Sequence, residues 1–344
     1  TKMDLELLDW LNVNTFPEEA KYQNLDYAER GYRDFVEDLR GSATTRAVIF
    51  GTLHKNATLL LMKLLEESGL VSYVGKVNMD RNSPEYLTEH TAEESLKNTK
   101  EWLSEIPKDW QNCKPILTPR FTPTCSDALM EGLGKLAKEY KLPVQSHLSE
   151  NLGEIAWVKE LCPDAKHYGD TYDRYGLLEN GIMAHCVYTE GEELSALKAR
   201  GTMICHCPQS NTNLCSGVAP IRYFLEENVK VGLGTDVAGG ANLSMLRAIT
   251  DAISVSKLRF RLMDQSLAPL TLEEAFCLAT LSGGSFFGKV GSFLPGYEAD
   301  ALVFHEKRRS VRKQTVKERL EVLLYTGEES ARLQAKFVQG RQLF

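Results

Sequence analysis

The chain has 344 residues, of which 43% are hydrophobic and 25% charged, and its formal net charge is −7. A chain of that length buries a large core in one or two domains, because α/β barrels of roughly 200–250 residues commonly fold as a single unit. The acidic balance, with no Lys/Arg-rich stripe, argues against nucleic acid as a partner, and no apolar run reaches the roughly 18 residues that a membrane span needs.

Thr1–Trp10 is acidic and amphipathic, unlike the basic-then-apolar pattern of a signal sequence. The first residue is Thr, and the chain reads as beginning partway through a longer protein. From there a strand followed by a helix recurs. Runs rich in β-branched and aliphatic residues predict strands over Thr44–Phe50, Val71–Met79, Lys114–Arg120, Pro143–His147, Gly181–Cys186, Thr202–Cys207 and Val229–Thr235. Several are apolar on both faces, as buried parallel strands are. Between them, helices are predicted at Thr58–Ser68, Ala92–Ile106, Asp127–Tyr140, Leu152–Leu161, Glu190–Ala199 and Ile221–Asn228. Three Thr-x-x-Glu pairs, Thr91/Glu94, Thr189/Glu192 and Thr271/Glu274, have the spacing of a helix-opening capping box.

This alternation predicts an α/β protein with a parallel sheet, and seven strands is one short of a (β/α)8 TIM-type barrel. After Asp236 the pattern changes. Helices are expected at Leu243–Met263 and Leu272–Leu281, then strands at Gly296–His305 and Lys336–Phe344. The expected division is a metal-dependent hydrolase barrel over residues 1–290, with a small, partial β module contributed by residues 291–344. Eight scattered cysteines suit reduced thiols in a cytoplasmic protein better than a disulfide framework. Cys205 and Cys207 flank His206; alternate positions in one strand and part of a metal site are both open readings there.

Functional groups of such barrels gather at the C-terminal ends of the strands. Four consecutive strand ends here carry a candidate group: His147 with Glu150 close behind, His185, His206 and Asp236. Imidazoles and a carboxylate suit Zn²⁺ or Fe²⁺ with a position left open for water. Such an ion lowers the pKa of its water from 15.7 towards about 7. A carboxylate beside the water takes its proton, and a second carboxyl protonates a ring and its leaving amine. Glu150 follows His147 by three residues, so the strand must end near Leu148 for both to face the mouth. Asn211 and Asn213 either orient neighbouring groups or serve as turn residues. The glycines around Asp236 lack the spacing of a dinucleotide loop.

These residues resemble the amidohydrolase superfamily, and Ser146-His147-Leu148-Ser149-Glu150 with His206-Cys207-Pro208-Gln209-Ser210-Asn211 resembles its metal-dependent deaminase branch. Further stretches resemble the guanine deaminase family: Trp10-Leu11, Thr15-Phe16-Pro17-Glu18, Val74–Asp80, Thr118-Pro119-Arg120-Phe121 with Cys125 close behind, and Gly232–Gly240. The resemblance implies hydrolytic deamination of guanine at a single Zn²⁺, with Fe²⁺ as the other candidate ion, in a cytoplasmic homodimer. It implies His147, His185 and Asp236 as metal ligands and Glu150, Asp236 and His206 as catalytic groups. Substrate would be contacted by Arg120, Phe121, His147, Glu150 and Asp236. The family also carries a His-x-His pair on its first barrel strand, and no His-x-His occurs in this sequence. Residue 1 is therefore expected to fall just after that strand, with weak metal binding and slow turnover unless the segment is supplied. His54, His90, His167 and His305 are expected to be structural or on the surface. Two other readings remain: a related enzyme acting on another purine or a triazine ring, and a non-catalytic relative.

Overall fold

The computed structural model describes residues 5–307 and 311–344. All seven expected strands form, though shorter than the apolar runs that announce them. They are β1 (Arg46–Phe50), β2 (Val71–Gly75) with its short continuation β3 (Val77–Asn78), and β4 (Cys113–Pro115) continued by β5 (Thr118–Pro119). Then follow β6 (Gln145–Leu148), β7 (Ile182–His185), β8 (Met203–His206) and β9 (Lys230–Leu233). Every pairing among them is parallel. β1-β2-β4, β3-β5 and β6-β7-β8-β9 each run in chain order, and a parallel bridge between Leu117 and Val144 links β5 to β6. The α/β class with parallel strands is thus observed. Among the described residues β1 pairs only with β2 and β9 only with β8.

Register matters more than length for the site. Leu148 lies opposite His185, and His206 opposite Leu233, so β6 to β9 end in step and present their next residues at one rim. The helices that follow each strand cover the outer face. Leu129, Met130, Leu133, Leu194, Leu197 and Phe224 from helices pack with Leu148, Met183, Ile204 and Val231 from strands, and with Val144 just before β6, in one buried cluster. Each such side chain contributes roughly 1.5–3 kcal/mol by leaving water.

A 17-residue helix, Leu25–Gly41, lies outside the expected elements. Asn24 caps it by accepting from the Tyr27 N–H at 3.1 Å. Its buried Ala28, Tyr32, Val36 and Leu39 recur at helical spacing and pack on the helix Lys55–Ser68. Of the three expected capping boxes, Thr271/Glu274 forms completely, and Thr91 accepts from the Glu94 N–H. Thr189 does not cap. Glu190 takes the N-cap place, and the Thr189 hydroxyl donates to the buried Glu193 carboxylate at 2.7 Å instead.

The C-terminal strands are antiparallel: β10 (Ala301–Glu306), β11 (Ala331–Val338) and β12 (Arg341–Gln342). Gln339 and Gly340 both take positive φ, which suits the tight turn between β11 and β12. Buried ties hold this sheet to the parallel one. Arg46 at the start of β1 grips Asp300 through Nε at 2.8 Å and Nη2 at 2.9 Å. Lys336, fully buried in β11, donates to the Thr44 carbonyl at 2.8 Å. A helix at Val316–Thr326, also absent from the sequence reading, opens with a Thr315/Glu318 capping box.

Candidate active site

A cavity of about 520 Å³ opens at the rim where the parallel strands end. Arg120, Phe121, His147, Glu150, His185 and Asp236 all line it. His206, at the end of β8, is buried at 1% exposure but is not part of that lining. The cavity is roofed by the N-terminal segment, whose Leu7, Trp10, Leu11 and Glu19 face it.

Local backbone geometry delivers these side chains. After β6 ends at Leu148, Ser149 adopts a left-handed φ of 46° and turns the chain, so Glu150 swings towards the same cavity as His147. His185 (φ 73°), Cys186 (φ 50°) and Asp236 (φ 45°) repeat the device at the other strand ends. Non-glycine residues seldom take this conformation, and such departures cluster at functional sites.

Hydrogen bonds then set each group. The His147 Nδ1–H donates to the Arg120 carbonyl at 2.6 Å, which leaves Nε2 with its lone pair free. His185 is fixed the same way, with Nδ1 donating to the Asn211 side-chain oxygen at 2.8 Å. The two rings stack with centroids 5.5 Å apart and an angle of 14° between planes. The Glu150 carboxylate lies 3.4 Å from His185 Nε2 and accepts from the Ser216 hydroxyl at 3.0 Å. The Glu150 backbone N–H donates to Glu154 at 3.0 Å, and Glu154 is held in turn by the Tyr168 hydroxyl at 2.7 Å. Asn213, by contrast, bonds the Gly239 carbonyl at 2.9 Å.

Burial dominates the electrostatics. It pushes the Glu150 carboxyl up to about 7, with the neighbouring Glu154 and Asp236 charges adding to the effect and His185 opposing it. Burial, helped by the adjacent His185, lowers His147 and His206 to about 3, so both are neutral at ordinary pH. His185 moves the other way. Burial pulls it down, but the Glu150 and Asp236 carboxylates outweigh that and raise it. A neutral imidazole with Nδ1 committed and Nε2 free, as in His147, set among carboxylates, is the donor chemistry of a divalent-cation site, and His185 joins it on loss of its proton. Both nitrogens of the buried His206 lack a protein partner, which also suits a hydrated polar centre nearby. As they stand, no three His, Cys, Asp or Glu side chains among the described residues are grouped closely enough to hold a metal ion. The donors thus fit an ion in kind, while their spacing is wider than a closed coordination sphere.

Residues 2–329 match the amidohydrolase family. The chain belongs to the amidohydrolase family. This amidohydrolase is 44% identical to guanine deaminase of Rattus norvegicus over 316 residues, which is 89% of the chain and 68% of that relative. With guanine deaminase of Dictyostelium discoideum it shares 38% identity, covering 100% of the chain and 78% of the relative. A crystal structure of guanine deaminase from C. acetobutylicum with bound guanine superposes with a TM-score of 0.96 at 46% identity, over 100% of this chain and 82% of that one. The amidohydrolase is accordingly a hydrolase acting on C–N bonds, and the expected resemblance to guanine deaminases is borne out.

Several site groups went unseen in the sequence. Glu19 meets Arg120 across a separation of 101 residues, which no local spacing reveals. Glu154 left a signal, as the fourth residue of Asn151-Leu152-Gly153-Glu154, a capping box that the structure completes. Of the histidines expected to be structural, His90 and His305 are exposed and His54 and His167 half-buried, with His167 3.7 Å from Glu193. All eight cysteines are free thiols.

Proposed function

We propose that this amidohydrolase adds water to guanine at the carbon bearing the exocyclic amine, releasing xanthine and ammonia. The observation that carries the reading is the meeting of His147, His185, Glu150 and Asp236 with Arg120 and Phe121 around one cavity. The relatives' shared activity, and the guanine bound in the C. acetobutylicum enzyme, support the same substrate. We further propose that the parallel strands belong to a (β/α)8 barrel over residues 1–290, with residues 291–344 contributing the β module. The free thiols suit a cytoplasmic enzyme, and the family resemblance implies a homodimer.

In this reading His147, His185 and Asp236 would hold a single Zn²⁺, or Fe²⁺, through Nε2 of each ring and the carboxylate. When bound, such an ion makes water a nucleophile near neutral pH. Asp236 takes a proton from the attacking water. Glu150, poised near 7, donates its proton to the ring nitrogen, takes up the one Asp236 received and passes it to the departing amine, and is reloaded from the new hydroxyl as that becomes the product carbonyl. His206, uncharged, steadies the water and the tetrahedral carbon. Arg120 donates to acceptors on the ring edge, and Phe121, braced edge-on against Trp157 at 6.3 Å, gives the flat base an apolar wall. With three donors among these residues and no His-x-His, we expect weak metal retention by the 344 residues alone.

The test is ammonia release from metal-supplemented protein across purines, pyrimidines and triazines, with xanthine followed by absorbance. Equal yields of xanthine and ammonia from guanine are expected. Ammonia from a different ring and none from guanine would replace this reading by a related ring deaminase. Silence on every ring at full metal content would end it.

A further inference from the structure

Arg120 does not enter the cavity as a free cation. Its Nη1 donates to Glu19 Oε2 at 2.6 Å, and the two side chains are only 11% and 12% exposed. The guanidinium sits over the Phe16 ring, 5.0 Å from its centroid. The other Glu19 oxygen, Oε1, accepts from the Leu53 N–H at 3.3 Å, so the carboxylate is pinned to the loop after β1 as well. No protein acceptor among the described residues takes the Nε or Nη2 hydrogens of Arg120, and those donors remain for a ligand. Both Glu19 and Arg120 line the cavity.

The consequence is one of charge. A lone guanidinium in a largely enclosed site attracts any anion that fits, because the low surrounding polarity amplifies its field. Paired with Glu19, the same fork keeps its directional donors but contributes no net charge. Guanine is uncharged near neutral pH and offers ring acceptors; oxidised purines such as urate are singly ionised there.

We propose that Glu19 is a specificity-determining positioning residue, which holds Arg120 in place and cancels its charge so that the cavity takes a neutral ring and turns away anionic ones. This rests on the guanine reading above, in which Arg120 meets the purine edge. The partner chemistry is an uncharged, flat heterocycle with adjacent acceptors. Its rejected counterpart is the same heterocycle carrying a negative charge.

The test compares wild type, Glu19→Gln and the double variant Glu19→Gln/Arg120→Gln. Glutamine keeps the shape and one acceptor oxygen, enough for Arg120, gives up the longer contact to the Leu53 N–H, and removes the charge. Guanine KM and kcat are measured by turnover, urate affinity by equilibrium dialysis, and folding by melting temperature. For Glu19→Gln the expected result is urate binding tightened by about tenfold, the usual scale of one charge-assisted contact. Guanine KM rises, with the larger share of any loss in KM rather than kcat, and the melting temperature stays close to wild type. The double variant, neutral again, loses the gain in urate affinity. Urate binding that is unchanged, weakened or undetectable in Glu19→Gln overturns the inference, as does a parallel loss of both ligands with a lowered melting temperature. Failure of the guanine reading shows separately, as wild type that makes no xanthine.

Discussion

Glu150 carries the proton in the proposed reaction, and two substitutions test that from opposite sides. Glu150→Gln keeps the shape and removes the proton. General acid–base groups contribute about 10²- to 10⁴-fold, so kcat is expected to fall by that factor, a barrier increase of about 3–5.5 kcal/mol. Ser216→Ala leaves the carboxyl but deletes the hydroxyl that stabilises its charged form from 3.0 Å. That bond favours the charged over the neutral carboxyl by about 0.5–1.5 kcal/mol, and one pH unit corresponds to 1.36 kcal/mol. The carboxyl, near 7 in wild type through burial, should therefore rise by about 0.4 to 1 pH unit. As the donor to the ring nitrogen, Glu150 enters the cycle protonated, so kcat falls as pH rises through its pKa. The assay is kcat for xanthine formation from pH 5.5 to 9.5. Wild type should show a descending limb centred near 7, Ser216→Ala the same limb displaced upward, and Glu150→Gln no such limb on its small residual rate. A Glu150→Gln enzyme within threefold of wild type, or a Ser216→Ala limb that stays put or moves down, would refute the assignment.

Three further expectations concern the frame around the site. Lys76 and Glu89 form a fully buried pair at 2.7 Å. Lys76→Met strands the carboxylate and should cost about 3–5 kcal/mol in urea unfolding, whereas Lys76→Met/Glu89→Leu recovers most of it; an additive double variant would contradict this. His206 remains neutral down to about 3 because it is buried, while the unfolded chain takes its proton near 6.5. Stability is thus lost as pH falls from about 6.5, by about 2–3 kcal/mol at pH 4.5, and the loss between pH 7 and 4.5 should shrink by that amount in His206→Gln. Equal losses in the two proteins would show that His206 takes up its proton when folded. At the end of β2, a Cβ on Gly75 would lie 1.7 Å from Thr118 Oγ1 and 2.7 Å from the Ile116 carbonyl. Gly75→Ala should therefore cost about 3 kcal/mol or more, read as a fall in melting temperature that Thr118→Ala relieves only in part.

What the sequence disclosed follows from what is periodic in it. Parallel strands buried on both faces announce themselves as apolar runs, and polar residues closing those runs mark the rim; hence His147, His185 and Asp236 were legible as one group before any fold was known. The turn after Leu148 was legible too, because strict alternation would have sent Glu150 to the wrong face. The helix Leu25–Gly41 carried a readable signal, Asn24 before a helical apolar stripe, but lay outside the strand–helix repeat that organised the reading. Glu19 and Ser216 were invisible for a different reason. Their importance comes from contacts 101 and 66 residues away, made by packing and not by spacing. Thr189 shows the converse: a correct local motif lost to a buried carboxylate that offered its hydroxyl a better partner.

The left-handed backbone at Ser149, His185, Cys186 and Asp236 sets function against durability. Each such residue stores on the order of 1 kcal/mol that a glycine in its place would not. Swapping Asp236 for glycine would release that strain while silencing the chemistry; at His185 the same swap would also empty a buried, hydrogen-bonded place. Laboratory selection for heat tolerance alone, with no demand for turnover, is as free to relax Asp236 as it is to replace the exposed left-handed Lys141 and Asn228. At this rim the reactive groups stand on backbone that has to be held in place by its surroundings.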